Sequence, residues 1–346
     1  MQLATIVLCL LIAADANTVC DRPIPVVIIA DVGIDDAAAL LWAIASPKLK
    51  ILGIASSFGC HADPRVTARN AQRVLSAANR SDIPVFVGSR FRLGDDSPMD
   101  ANLFHGSDGM GDVPWLAGEA DVLHTLPGTS AAEFIVSSAR NHADSLVVLC
   151  LSPLVDVALA CLLEPALPSL LKQVVVMGGA VYTHGNAAAL AEANFHHDAR
   201  AARLVISAFA GSGKLVLAPL DVTMKVLVGA DVIRRIGSFG AGGHLFERAH
   251  VTYQKSYCRL ARLCESVALH DSHTVAWIVE PEMYNASEQL AIAVHVSTSA
   301  QDATNGLSYV DRRASAQLSQ PPTLTVLLDV DRERFVQAML EDLQGL

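Results

Sequence analysis

The chain of 346 residues lacks several features that would assign it to a familiar class. After the first twenty residues no apolar stretch is long enough to span a membrane. Basic residues are in deficit, 25 against 35 acidic ones, and the net charge of −10 argues against binding to a phosphate backbone. Internal repeats, low-complexity runs and clear linkers are also missing. Because 52% of the residues are hydrophobic and only 17% are charged, we predict one folded domain with a large core.

The N-terminus has the pattern of a secretory signal. Leu3 to Ala14 is apolar but too short for a transmembrane helix, and Ala14-Asp15-Ala16 supplies the small residues of a cleavage site. A buried first strand is the alternative, but polar residues break the apolar run before the first strand begins. We therefore predict a signal peptide over residues 1–16, a mature domain over residues 17–346, and a secreted protein.

An oxidising compartment permits disulfides and glycans. Cys9 would leave with the signal, and the six remaining cysteines are Cys20, Cys60, Cys150, Cys161, Cys258 and Cys264. Their spacing does not define a pairing, although Cys150 lies in a predicted core strand and is expected to be a buried thiol. Asn79 and Asn285 each begin an Asn-x-Ser sequon, which predicts a glycoprotein.

Three carboxylates lie where a predicted strand meets a predicted helix. Val26 to Ile29 is an unbroken β-branched run, typical of a parallel strand buried on both faces. After Gly33 the apolar residues become Ala-rich, as in a helix. Asp31, Asp35 and Asp36 fall at the junction, which in open α/β sheets is the edge where ligands bind.

These carboxylates have two explanations. One aspartate could cap the helix while the others are solvated, but three within six residues repel one another unless a cation or several donors compensate. Hard oxygen ligands without a nearby Cys or His pair favour Ca²⁺ or Mg²⁺ over zinc.

Strands and helices alternate along the rest of the chain, which predicts an α/β fold. We expect a single open, mostly parallel Rossmann-like sheet with helices on both faces. The later strands are predicted at Leu49–Ala55, Ile83–Val87, Ser145–Cys150, Gln173–Met177, Lys214–Ala218, Leu290–Val296 and Thr323–Leu328. The helices are predicted at Pro64–Ala78, Ser130–Ala143, Val155–Leu163, Asp198–Ala210, most of Gly229–Cys264, Thr274–Val279 and Asp331–Leu343. Between them, Ser89–Val122 is a long Gly- and Asp-rich loop, and loops of that length are often functional.

Oxygen ligands also follow two later elements, at Leu151 and at Asp271. With these residues the chain resembles the inosine-uridine-preferring nucleoside hydrolases. The family opens with Asp-x-Asp-x-Gly-x-Asp-Asp-Ala, and Ile29 to Ala37 follows that pattern except at its first position. Further matches, in the family's order, are His105-Gly106, Gly109-Met-Gly111, Leu151-Ser-Pro-Leu-Val-Asp-Val-Ala158, Met177-Gly-Gly179, Gly185-Asn186, Glu192-Ala-Asn194, Asp221-Val-Thr223 and His270-Asp271.

The resemblance implies specific site residues. A Ca²⁺ ion would be held by Asp31, Asp36, Asp271 and the Leu151 carbonyl. Asp35 would hold the ribose 2′-hydroxyl, while Met177, Asn186, Glu192 and Asn194 would surround the rest of the sugar. A ribose diol suits a flexible calcium site, which is consistent with this assignment.

The implied reaction is hydrolysis of a ribonucleoside N-glycosidic bond to free base and ribose. Asp31 would take a proton from a metal-bound water, and His270 or His105 would protonate or stabilise the leaving base. The expected partner is a small nucleoside, with no nucleic acid and no membrane, and the chain is expected to form a homo-oligomer, a dimer or a tetramer.

Three positions depart from the family pattern. Ile29 replaces the first aspartate, Cys60 replaces an asparagine expected to contact the sugar, and Ala193 stands where the family often has phenylalanine. These changes thin the sugar contacts while the predicted metal shell stays complete. The alternative function is therefore a catalytically weakened secreted relative that binds nucleosides or another partner without efficient turnover.

Overall fold

Most strands of the central sheet are short and strongly apolar. A computed structural model describes residues 22–94, 102–114, 129–297, 302–313 and 324–346. The strands are β1 (Ile24–Ala30), β2 (Leu49–Ser56), β3 (Val85–Val87), β4 (Val147–Cys150), β5 (Gln173–Met177), β6 (Leu215–Ala218), β7 (Leu227–Gly229), β8 (Ser266–Ala268), β9 (Ala286–Leu290), β10 (Ile292–Val294), β11 (Ser308–Val310) and β12 (Leu324–Asp329). The predicted signal peptide at 1–16, Cys20, parts of the Ser89–Val122 loop and the first residue of the last predicted strand lie outside the described residues.

Eight of these strands form one sheet in the order β3-β2-β1-β4-β5-β6-β12-β9. Every neighbouring pair is parallel except β12 and β9, which run antiparallel at one edge. Two further sheets have two strands each, β10 with β11 and β7 with β8. The mostly parallel sheet confirms the predicted fold class.

β1 lies inside the sheet because it can bury side chains on both faces. Val26 and Ile28 belong to one apolar core cluster, whereas Val27 and Ile29 belong to a second. Successive side chains of a strand point to opposite faces, so the two clusters lie on opposite sides of the sheet. Ile29, one of the three departures, is a fully buried core residue.

Helices cover both faces of the sheet, as predicted. They are α1 (Ile34–Ala45), α2 (Pro64–Ala77), α3 (Asn102–His105), α4 (Ala131–Asn141), α5 (Val155–Leu163), α6 (Leu167–Leu170), α7 (Ala193–His197), α8 (Ala199–Ala208), α9 (Leu220–Thr223), α10 (Ala230–Gly237), α11 (Gly240–Ser256), α12 (Ser272–Val279) and α13 (Arg332–Leu343). Buried side chains of α1, α2, α11, α12 and α13 join the first cluster, and those of α4, α5 and α8 join the second. None of the described helices is long and apolar enough to cross a bilayer.

The predicted strand Leu290–Val296 is wrong as one element. The chain pairs with β12 as far as Leu290 and then changes partner, so that β10 pairs with β11. Most residues of β9 are exposed at the edge of the large sheet. Ile292 and Val294, in contrast, are buried in the second core cluster, and burying them requires the chain to leave the edge.

A buried carboxylate in α5 predicts a pH-dependent stability. Asp156 is 2% exposed, its Oδ1 accepts the Ser89 N–H at 3.0 Å, and its Oδ2 has no hydrogen-bond partner. Burial raises the pKa of Asp156 to about 7, against a small opposing effect of the Ser89 N–H. In the unfolded chain the carboxyl of Asp156 ionises near about pH 4. The stabilising contribution of the neutral acid is therefore present below about pH 4 and is lost as the pH rises through about 7.

Asp156→Asn should therefore stabilise the protein relative to the parent at pH 8 by on the order of 1–4 kcal/mol, and much less at pH 4.5. Urea unfolding of both proteins at a series of pH values measures the difference in their free energies of unfolding. That difference reports the ionisation of Asp156 alone. Asp144→Asn, at an exposed aspartate with positive φ that asparagine tolerates, is the matched control and should leave the pH profile unchanged. An equal difference between Asp156→Asn and the parent at pH 4.5 and pH 8 would contradict the ionisation argument.

Candidate active site

Four carboxylates gather beneath the C-terminal edge of the sheet. Asp31 follows β1 directly, and Asp35 and Asp36 occupy the first turn of α1, for which Gly33 is the N-cap. Asp271 caps α12 just after β8. Each is at most 6% exposed. The fold thus places Asp271, which is far along the chain, next to the three carboxylates of the β1–α1 junction.

Asp31 is held by the turn that follows β2. Its Oδ2 accepts the Cys60 N–H at 2.6 Å, and a side chain on Gly59, which has φ +151°, would collide with the same oxygen. Burial raises the pKa of Asp31 to about 7, although the Cys60 N–H acts in the opposite direction. Without a neutralising charge this carboxylate is therefore only partly ionised at neutral pH.

The other carboxylates repel one another strongly. Burial, followed by the charges of Asp31 and Asp35, raises the pKa of Asp36 well above its usual value. Burial and then the charges of Asp36 and Asp35 do the same to the pKa of Asp271. Burial also raises the pKa of Asp35, which the nearby His270 and a hydrogen bond from Tyr253 partly offset. Such a group needs a positive charge if all its members are to ionise.

The residues fit a divalent cation. Oxygens of Asp35, Asp36 and Asp271 lie within 4.8 Å of one another, and among the described residues a second such group joins Asp31 and Asp36 to Cys60. Asp36 Oδ2 accepts the Gly33 N–H at 2.9 Å, but its buried Oδ1 has no hydrogen-bond partner. An unpaired buried carboxylate oxygen amid other carboxylates is an oxygen that a divalent cation could take as a ligand.

Other predicted site residues lie beside the carboxylates, and the side-chain amide of Asn194 links two of them. Asn194 Nδ2 donates to the carbonyls of Leu151 at 2.9 Å and Met177 at 3.1 Å. Glu192 caps α7, and its carboxylate accepts the N–H groups of Gly179, Asn194 and Phe195. Burial raises the pKa of Glu192 to about 7, and its charge contributes to the raised pKa of Asp271.

Asn186 lies outside this buried group. Its side chain is exposed, and its Oδ1 accepts the Ala193 N–H at 2.9 Å. In this structure Asn186 therefore supports the start of α7 from the surface, next to Glu192. Sequence spacing alone could not distinguish that contact from a sugar contact.

His270 is fixed at both ring nitrogens. Nδ1 is 2.7 Å from Thr223 Oγ1 and Nε2 is 2.8 Å from the Tyr257 hydroxyl. Burial lowers the pKa of His270, although the charge of Asp35 opposes this. The ring is thus a neutral link in a buried chain of two hydroxyls and an imidazole, a chain that can pass a proton.

His105 is also buried and near the carboxylates. Its Nδ1 accepts the Ile34 N–H at 3.2 Å, which leaves the ring proton on Nε2, and lies 3.9 Å from Asp35 Oδ1. Burial lowers the pKa of His105 to about 4, so the ring is neutral at pH 7. This contact ties α3 to the first turn of α1.

The sequence analysis missed the two tyrosines of the site. Tyr253, on α11, lies near enough to Asp35 to lower the pKa of that carboxyl, and Tyr257 begins the π-helical turn Tyr257–Ala261, of a kind often found at functional sites. A disulfide between Cys258 and Cys264 starts within that turn and closes the segment that follows it. The signal available in the sequence was their spacing of four, which places both on one face of a helix.

Both the sequence and the fold of this chain match known proteins. The profile of the family described as inosine-uridine preferring nucleoside hydrolase matches residues 26–337. The pyrimidine-specific ribonucleoside hydrolase RihA of Salmonella typhimurium is 33% identical over 322 residues, covering 93% of this chain and 98% of the relative.

Two solved structures share the whole architecture. A plant nucleoside hydrolase, PpNRh1, superposes with a TM-score of 0.83 at 25% identity, over 94% of this chain and 100% of its own. A purine-preferring ribonucleoside hydrolase from Gardnerella vaginalis gives the same TM-score and identity, over 93% of this chain and 98% of its own. The similar proteins thus include both a pyrimidine-specific and a purine-preferring hydrolase.

Proposed function

Because this chain belongs to the inosine-uridine preferring nucleoside hydrolase family and is an enzyme that hydrolyses ribonucleosides, we propose that it works with bound calcium and uses Asp31 as its general base. The observation that carries the proposal is the buried carboxylate group with its unpaired Asp36 Oδ1. The proposed calcium ligands are Asp31, Asp36, Asp271 and the carbonyl of Leu151. All are hard oxygen donors, which calcium prefers.

When bound, calcium would polarise the attacking water and engage the ribose hydroxyls. Asp31 accepts the proton of that water, while the Cys60 N–H holds one of its two oxygens in place. Asp35 accepts a hydrogen bond from the 2′-hydroxyl, and the neighbouring Tyr253 favours the ionised form of its carboxyl.

The remaining sugar contacts are assigned to Met177, Glu192 and Asn194, which lie together beside the carboxylates. The sugar contact of Asn186 stays a prediction, and its Oδ1 accepts the Ala193 N–H at the start of α7. As the glycosidic bond breaks, C1′ acquires oxocarbenium character and negative charge moves onto the base. His270 gives that base the proton of its imidazolium form, which the charge of Asp35 favours, and returns to the neutral form. Tyr257 and Thr223 hold the ring from either side. The neutral His105 positions α1 and offers Nε2–H as a hydrogen-bond donor.

The weakened-relative alternative has no support from the comparisons, because RihA and both solved relatives are named as hydrolases. Of the three departures, Ile29 is an ordinary core residue and Cys60 keeps a backbone contact to Asp31. The four carboxylates are all retained.

Activity should depend on calcium. We expect the purified chain to release base from inosine, uridine, adenosine or cytidine, to lose that activity on exhaustive chelation, and to regain it on addition of calcium. Measured metal content before and after chelation is the control. Full turnover in protein shown to be metal-free would contradict the proposed role of calcium, whereas failure on all four nucleosides with calcium present would contradict the proposed catalysis.

We also propose that the protein is secreted and glycosylated. The exposed positions of Asn79 and Asn285 and the Cys258–Cys264 disulfide support this proposal. Expressed in a secretory host, the chain should reach the medium with Asn17 as its first residue and should lose mass on treatment with an N-glycosidase. The Asn79→Gln/Asn285→Gln variant is the control, and retention in the cytosol with Met1 intact would contradict the proposal. Homo-oligomerisation stays a prediction, which mass photometry tests.

A further inference from the structure

One thiol lies at the edge of the proposed calcium site. Cys60 follows β2, is 5% exposed, and has its Sγ 3.9 Å from Asp36 Oδ2. Its backbone N–H donates to Asp31, so the residue touches two of the proposed calcium ligands. The absence of a side chain at Gly33 makes room for the sulfur, since a Cβ there would lie 2.5 Å from Sγ.

The sulfur is within reach of a cation that the carboxylates hold. Ligand atoms of Asp31, Asp36 and Cys60 lie within 4.8 Å of one another, and this group shares Asp36 with the all-oxygen group of Asp35 and Asp271. Both groups include Asp36, whose buried Oδ1 has no hydrogen-bond partner. A second observation thus supports a cation site at this thiol, because the neighbouring Asp36 has a carboxylate oxygen without a hydrogen-bond partner.

We propose that Cys60, Asp31 and Asp36 form a mixed sulfur–oxygen site that binds a thiophilic divalent cation of the zinc and cadmium class, in competition with calcium. This inference rests on the proposed cation site. Calcium takes oxygen ligands, and a sulfur ligand adds little to its binding. Zinc and cadmium bind thiolate strongly, and two carboxylates with one thiolate are a suitable ligand set for zinc.

Binding exchanges one bond for another at the sulfur. The S–H bond of Cys60 breaks as the metal–sulfur bond forms, and the proton leaves to solvent. The metal and the sulfur keep their oxidation states. Because Asp31 and Asp36 serve both ions, the thiophilic ion displaces calcium instead of joining it.

Cadmium is the probe, because a cadmium–thiolate bond has a charge-transfer absorption in the ultraviolet. Cd²⁺ added to the chelator-treated full chain should give one charge-transfer transition that saturates at one ion per chain. Calorimetric titration should show that calcium weakens cadmium binding. Cys60→Ser should lose the absorption and bind cadmium at least about tenfold more weakly, while its calcium affinity changes much less. Cys60→Ala, checked by its circular dichroism, should behave in the same way.

Cys161→Ser and Cys20→Ser are the matched controls and should keep the absorption. Persistence of the signal in Cys60→Ser, or tight cadmium binding by the parent without the signal, would overturn the inference. Neither readout uses turnover. An inactive calcium-loaded enzyme that still shows the Cys60-dependent signal would therefore contradict the proposed function alone, and an active enzyme without the signal would contradict this inference alone.

Discussion

Asp31→Asn is expected to fold and to lose at least about a thousandfold in kcat/KM on every ribonucleoside the parent hydrolyses. General-base catalysis contributes roughly 10²–10⁴ in rate, and the same change weakens a proposed metal ligand. The amide oxygen of asparagine can still accept the Cys60 N–H, which in the parent is 2.6 Å from Asp31, so the turn after β2 should keep its shape.

The matched control is Asp231→Asn, at an exposed aspartate in the first turn of α10, and its kcat/KM should equal that of the parent. Calcium titration by calorimetry then separates the two roles of Asp31. If Asp31→Asn saturates with calcium and still fails to turn over, loss of the base is the cause. Near-parental turnover of Asp31→Asn at saturating calcium would show that another group accepts the proton.

The second large effect is expected at His270 and depends on the leaving group. His270→Ala should slow release of an unactivated base such as hypoxanthine by about 10²–10⁴, because no group then protonates it as it departs. A nitrophenyl riboside carries a leaving group that needs no proton, and its hydrolysis should be nearly spared. Tyr257→Phe, which removes the hydroxyl 2.8 Å from Nε2, should show the same selectivity with a smaller loss.

His244→Ala, at an exposed histidine of α11, is the control and should leave both substrates unaffected. Equal losses on inosine and on the nitrophenyl riboside would show that His270 positions the substrate instead of protonating the base. The pH profile gives a further comparison, since the parent and His270→Ala should differ on inosine and agree on the activated substrate.

Much of the fold could be predicted because its pattern is local. The β-branched run of β1 and the Ala-rich start of α1 each specify their element within a few residues, and the alternation that follows predicts a parallel sheet. The prediction of a single strand at Leu290–Val296 was wrong because the apolar pattern continues across a change of strand partner. Pairing is a property of the whole sheet, and no feature of that segment marks the change.

The candidate site likewise has features that the local sequence predicts and features that only the tertiary structure shows. The sequence by itself determined that Asp31, Asp35 and Asp36 meet at a strand–helix junction, because that junction lies within six residues. Only the tertiary structure decided that Tyr257 and Thr223 hold His270, that Asn186 faces the surface, and that Cys258 pairs with Cys264.

The thiol of Cys60 illustrates the physical reason. Asp36 and Cys60 are 24 residues apart, and their side chains meet because β1 and β2 are parallel neighbours whose carboxyl ends share one edge of the sheet. Local pattern determines where each strand ends, since burial and backbone conformation are decided over a few residues. Which side chains then touch depends on the packing of the strands and helices that carry them, and that packing is fixed only when the whole core closes.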